Sequence, residues 1–191
     1  EYAGKMNFNL HKLKDMSDKS KICITFLILV ILTFATNYYG STDIQDYSAV
    51  AKFSAGLLNS KIRSSHSYLY GFIHSPFVKL TESFLFFKIS SLIFLALIIY
   101  SLYIISNKNK KVLWTILLSP IIWYMAPWIS PIQLASLFFL WAYYFINKFD
   151  ETKKARHIIY TGILIGLGWA VWDTVIFFGA FLLLPFMYNK K

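Results

Sequence analysis

The sequence predicts an all-α membrane protein of about six transmembrane or partly spanning helices, and three observations carry that expectation. Of 191 residues, 57% are hydrophobic and only 15% are charged, far from the mix of an ordinary soluble domain. The apolar residues come in long blocks, not in the stripes of half-buried elements. The basic residues, which give a formal net charge of +10, collect in short stretches between those blocks. A charge of that size can signal nucleic acid, but no basic, aromatic-rich soluble face exists to carry such binding. The expected partner is the lipid bilayer, with no nucleic acid. The single cysteine, Cys23, excludes an internal disulfide.

Taken in order, residues 1–21 form a polar, basic N-terminal segment with Lys5, Lys12, Lys14, Lys19 and Lys21. Residues 22–187 read as one transmembrane module. Ile22 to Tyr39 is an apolar run of 18 residues, long enough to span. No A-x-A site follows it, so an uncleaved anchor is expected. A polar outer loop, 40–83, leads to a second span from Phe84 to Ile105 that contains one charge, Lys88. After a basic connector, Val112 to Ala126 is broken by Pro120, and Pro127-Trp128-Ile129-Ser130-Pro131 forms a tight uncharged turn. Ile132 to Ile146 is the fourth run, and the charged stretch Asn147 to His157 faces water. Ile158 to Met187 is apolar apart from Asp173. As one helix that stretch would reach roughly 45 Å against a hydrocarbon core of about 30 Å. It would also hold a carboxylate near mid-membrane, at about 3 kcal/mol or more. Two short helices meeting near Trp172-Asp173-Thr174 avoid that. The third and fourth runs are likewise short, so two short hairpins are expected beside two full spans. Residues 188–191 read as a tail or a truncation point.

Lysine and arginine set the topology. With the N-terminus inside, fourteen of them fall on inner segments and four on outer ones, namely Lys52, Lys61, Arg63 and Lys79. Both termini are therefore expected in the cytoplasm of a plasma-membrane or endoplasmic-reticulum protein. The outer loop, the Pro-Trp-Ile-Ser-Pro turn and Asp173 then share the outer or lumenal face.

In the outer loop, Ser41 or Thr42 can cap a helix beginning near Asp43. Ala49, Val50, Phe53, Ala55, Leu57 and Leu58 supply an apolar stripe for an amphipathic helix lying on the membrane surface. Asp43 and Asp46, three apart, share one side of its first turn. Their nearness either favours the helix N-terminus through its dipole, or raises one proton affinity and suits a divalent cation such as Mg or Mn. Arg63, His66, Tyr68, Tyr70, His74 and Lys79 bring cations and hydrogen-bond donors to the membrane edge. They suit a phosphate headgroup, or ordinary interfacial anchoring. No charges line an inner path, which disfavours a transporter.

One span, then Thr42-Asp43-Ile44-Gln45-Asp46-Tyr47 with Ala51 and Gly56, then Tyr68-Leu69-Tyr70-Gly71-Phe72 leading to Ser75-Pro76-Phe77, resembles the GT-C superfamily. These are polytopic glycosyltransferases that use polyprenyl-phosphate sugars. The later PWISPIQLASLFFLWAYYF and TGILIGLGWAVWDTVIFFGAFLLLPF are similar to its short-helix hairpins. The resemblance implies sugar transfer from a polyprenyl-phosphate donor to an acceptor on the non-cytoplasmic face. It implies Asp43 or Asp46 as general base, and donor binding by Arg63, His66, Tyr70, His74, Lys79 and Asp173. The chain is short for that superfamily, which implies a partner membrane subunit or a C-terminal continuation. The alternative expectation is a catalytically inactive scaffold or assembly subunit that binds a partner protein.

Overall fold

The computed structural model describes residues 17–36, 44–57, 67–81, 83–173, 177 and 179. Among them are eight α-helices and no strand, so the all-α expectation holds. The first helix, α1 (Asp18–Ala35), is opened by Ser17, whose hydroxyl accepts from Ser20 N. The outer-loop helix α2 (Ile44–Ser54) begins where expected. Val50 and Ala55 of the apolar stripe are buried together with Tyr47 and Ala51, while Phe53 and Leu57 are exposed. The reason is a neighbour that the sequence did not announce, α3 (Tyr68–Val78), against which α2 packs. Gly71 permits the approach, because a Cβ there would clash with the Val50 side chain and come within 3.1 Å of Ala51 N. Pro76 sits inside α3.

The second expected span is α4 (Leu85–Ile105), 21 residues with a mean hydropathy of 2.2. At about 1.5 Å per residue it matches a hydrocarbon core of about 30 Å. Among the described residues it is the one helix both long and apolar enough to cross a membrane; the apolar stretches Ser20–Ala35 and Ala155–Val171 are shorter. The helix closes in a Schellman motif: Asn107 N donates to Ile104 O, and Lys108 N to Tyr103 O.

The third run is broken, as Pro120 dictates, into α5 (Lys110–Leu117) and α6 (Pro120–Met125). The fourth is longer than expected. Helix α7 (Pro131–Thr152) has 22 residues and continues through the charged stretch. Ion pairs Lys148–Glu151 (2.7 Å) and Asp150–Lys153 (2.9 Å) carry its exposed end. Such i,i+3 pairs support a helix that apolarity alone would have ended sooner. A two-residue turn, with Lys153 left-handed, leads to α8 (Ala155–Val171). This helix stops at Trp172, whose backbone is extended (φ −152°), where a break was expected. Helices α7 and α8 pack along each other; Thr161 Oγ1 donates to His157 O at 3.0 Å within α8 and lies 3.5 Å from Ala142 O of α7.

Two buried clusters result. One gathers Tyr47 and Ala51 of α2, Tyr70 of α3, Phe87 of α4, Ile129 of the inter-proline turn, Leu134 of α7 and Val171 of α8. The other joins Leu29 of α1 with Leu95 and Ile99 of α4, Leu113 and Leu117 of α5, and Ile122 and Ala126 near α6. The first cluster brings the outer loop, the inter-proline turn and the end of α8 to one end of the bundle.

Candidate functional site

At that end the chain buries polar side chains. Lys88 lies in the first turn of α4, 6% exposed. Its ammonium donates to Thr33 O at 3.0 Å and Thr36 O at 2.6 Å. These are carbonyls of the last turn and cap of α1, where a helix has acceptors to spare and its dipole favours a cation. Thr33 also turns inward: its hydroxyl donates to Leu29 O (2.8 Å) and lies 3.1 Å from Ala126 O, next to the inter-proline turn. One lysine thus fastens α1 to α4.

His74 is buried, 1% exposed, and stacks on Phe87 with ring centroids 4.2 Å apart and 9° between planes. Its Nδ1 is 2.7 Å from Tyr70 O. A carbonyl can only accept, so Nδ1 carries the proton. In the neutral ring Nε2 is then left to accept from the Ser90 hydroxyl, which it contacts. Ser90 Oγ also lies 2.9 Å from Phe87 O, so its one proton is contested. Burial lowers the His74 pKa to about 4, against the opposing pull of the Tyr70 carbonyl. The imidazole is neutral at pH 7.

Tyr70 is fully buried, edge-on to Tyr47 at 5.8 Å. Burial pushes its hydroxyl above the usual range; Ser91 and Ser90 pull the other way. Yet the phenol oxygen and Ser91 Oγ are both buried without meeting a partner in hydrogen-bond geometry.

Of the residues expected to act, Asp43, Arg63 and His66 lie outside the described residues. Asp46 lies in the first turn of α2, half-buried. Tyr70 and His74 point into the core, and Lys79 is exposed just past α3. Asp173, half-buried, follows Trp172, and the Trp172 ring meets Tyr47 edge-on at 6.2 Å. The neighbours in sequence of Asp46 and Asp173 are therefore in contact. Among the described residues no three His, Cys, Asp or Glu side chains converge as a metal site. The Asp43–Asp46 pair lies partly outside the described residues.

The sequence does not single out Thr33, Thr36, Ser90 or Ser91, and it shows Lys88 only as the one charge of the second span. The signal was present: Lys88 is the lone charge of the second span, and Ser90 and Ser91 follow within a turn. No known protein family, curated protein or solved structure matches this chain.

Proposed function

We propose that this chain is a multi-pass integral membrane protein with both termini in the cytoplasm. Its outer end would transfer a sugar from a polyprenyl-phosphate donor to an acceptor. The membrane half of the reading is supported by an inverted polarity. Lys88, Ser91, Ser101, Gln133 and Thr161 are buried, whereas Leu27, Ile31, Ile93, Leu97, Ile159 and Ile163 are exposed. Scattered exposed aliphatics are ordinary in a soluble protein; whole helix faces of them beside buried polar groups suit lipid as the solvent.

The transferase half rests on one observation, the Tyr47–Trp172 contact. It holds the start of α2 and the end of α8 together, with Asp46 just before Tyr47 and Asp173 just after Trp172 in the sequence. In this reading the Asp46 or Asp43 carboxylate takes the proton of the acceptor hydroxyl. The hydroxyl oxygen bonds to the sugar C1 as the bond from C1 to the phosphate oxygen breaks. The electron pair leaves on the lipid phosphate, with Lys79 and Arg63 as the available cations. Tyr70 and His74 then act as positioning residues that hold α3, not as groups that touch substrate.

The test is transfer from a polyprenyl-phosphate hexose by the membrane-reconstituted chain. Loss of a general base costs about 10²–10⁴ in rate, so Asp46→Asn or Asp43→Asn should lower transfer by that order. Unchanged transfer in the double variant would discard the assignment. The burial of Tyr70 and His74 favours a second reading, an inactive assembly subunit, because these polar residues are occupied in packing. Stable co-purification with another membrane protein, without any transfer, would select it.

A further inference from the structure

Away from the polar end, a cavity of about 450 Å³ lies between α1, α4 and α5. Cys23, Phe26, Ala96, Ile99, Leu113 and Leu117 are among its almost wholly apolar walls. Two further wall residues fix which end of the bundle it reaches. Ile22 belongs to the second turn of α1, and Tyr103 to the last turn of α4. Lysines adjoin both. Lys21 precedes Ile22, and its ammonium sits 5.7 Å from the centre of the Trp114 ring. Lys108, Lys110 and Lys111 lie on the short link from Tyr103 to Leu113. The Schellman closure ties the Lys108 backbone directly to Tyr103, itself a wall residue. Over residues 18–23 and 103–113 the sole acidic residue is Asp18.

An apolar slot whose rim combines lysine with tyrosine and tryptophan matches the depth profile of a phospholipid. The acyl chain needs apolar walls, the interface favours aromatic rings, and the phosphate favours cations. Neither a free anion nor a hydrocarbon alone would use both parts. We infer that this cavity binds an anionic phospholipid, with an acyl chain between α1, α4 and α5 and its headgroup phosphate at Lys21, Lys108 and Lys111. This inference rests on the membrane half of the proposed function and is independent of the transferase half.

The test is native mass spectrometry of the full chain, released from neutral detergent after exposure to equal amounts of phosphatidylglycerol and phosphatidylcholine. Retention of one phosphatidylglycerol is expected, favoured over phosphatidylcholine by roughly tenfold. Lys108→Ala with Lys111→Ala should abolish that preference. Ala96→Phe, which fills the slot from α4, should remove the bound lipid. Cys23→Trp fills it from an exposed position and repeats the test if Ala96→Phe fails to fold. Glycerol phosphate, the headgroup without chains, should not displace the lipid. Equal retention of the two lipids, retention unchanged by both filling variants, or occupancy by a polyprenyl chain or a protein segment would overturn the inference. Flotation with phosphatidylcholine vesicles separates the two failures. A chain that does not float overturns the membrane reading as well; one that floats without lipid preference overturns only this site.

Discussion

The two buried clusters are built on opposite principles. The cluster around Leu29, Leu95, Ile99 and Leu117 is aliphatic and borders a cavity. The cluster around Tyr47, Tyr70 and Phe87 is aromatic, close-packed at Gly71, and threaded with His74, Ser90, Ser91 and, beside it, Lys88. Aliphatic packing is non-directional and insensitive to protons. A buried polar network is directional, and every unmet partner is costly. The end of the bundle that spends stability on polar groups is the end where α2, α3, the inter-proline turn and the end of α8 meet. The aliphatic end is organised for a guest, and its specificity lies in the lysines at its rim.

The largest contrast should come from Lys88→Ala. It takes the ammonium away from Thr33 O and Thr36 O at the end of α1; Thr33 O keeps the Thr36 hydroxyl at 3.5 Å, so the cost is about 1–3 kcal/mol for the Thr36 carbonyl left unsatisfied. Thermal unfolding in detergent should fall sharply, and Lys88→Arg should recover part of the loss by keeping donors there. A Lys88→Ala variant as stable as the parent would mean that α1 is held by the aliphatic cluster alone.

Acid should separate the two regions next. The folded-state pKa of His74 is lowered to about 4 from an ordinary 6.5, so between those values the unfolded chain binds a proton that the folded chain does not. Stability contributed by neutral His74 is complete above pH 6.5 and is lost as pH falls towards 4. Over the full window this amounts to roughly 3 kcal/mol. Unfolding followed from pH 7 to 4.5 should show this loss, and His74→Gln, which cannot titrate there, should not. The walls of the aliphatic cavity hold no histidine or carboxylate, so lipid retention there should change less. An identical acid response in His74→Gln would assign the sensitivity elsewhere.

Much of the fold was legible because its signals are strong and local. The runs that became α1 and α4 stand out by length and apolarity. Pro120 and Pro131 each occupy the first position of a helix, where a missing N–H costs nothing. The break at Trp172 followed from the cost of placing Asp173 inside a long apolar helix. What stayed hidden was relational. Helix α3 carries Pro76, Ser75 and Gly71, and its reason for being helical is the face it presents to α2 and α4. Because α3 was not foreseen, the inward face of α2 went unread: Tyr47 and Ala51 face inward, while Phe53 and Leu57 of the apolar stripe stay exposed. The end of α7 was placed too early because its last turns depend on Lys148–Glu151 and Asp150–Lys153, not on apolarity. At the candidate site, residue types were readable but partners were not. Nothing in the spacing of Lys88 and Thr33, 55 residues apart, tells that they touch.

The central claim is that the polar cluster and the lysine-rimmed cavity lie on opposite sides of a membrane. It can be tested by labelling single cysteines in a Cys23→Ala background in intact cells with a membrane-impermeant maleimide. Asp46→Cys should react from outside, whereas Lys111→Cys should react only after the membrane is opened. Reaction of both from the same side, or of Lys111→Cys alone in intact cells, would contradict the account.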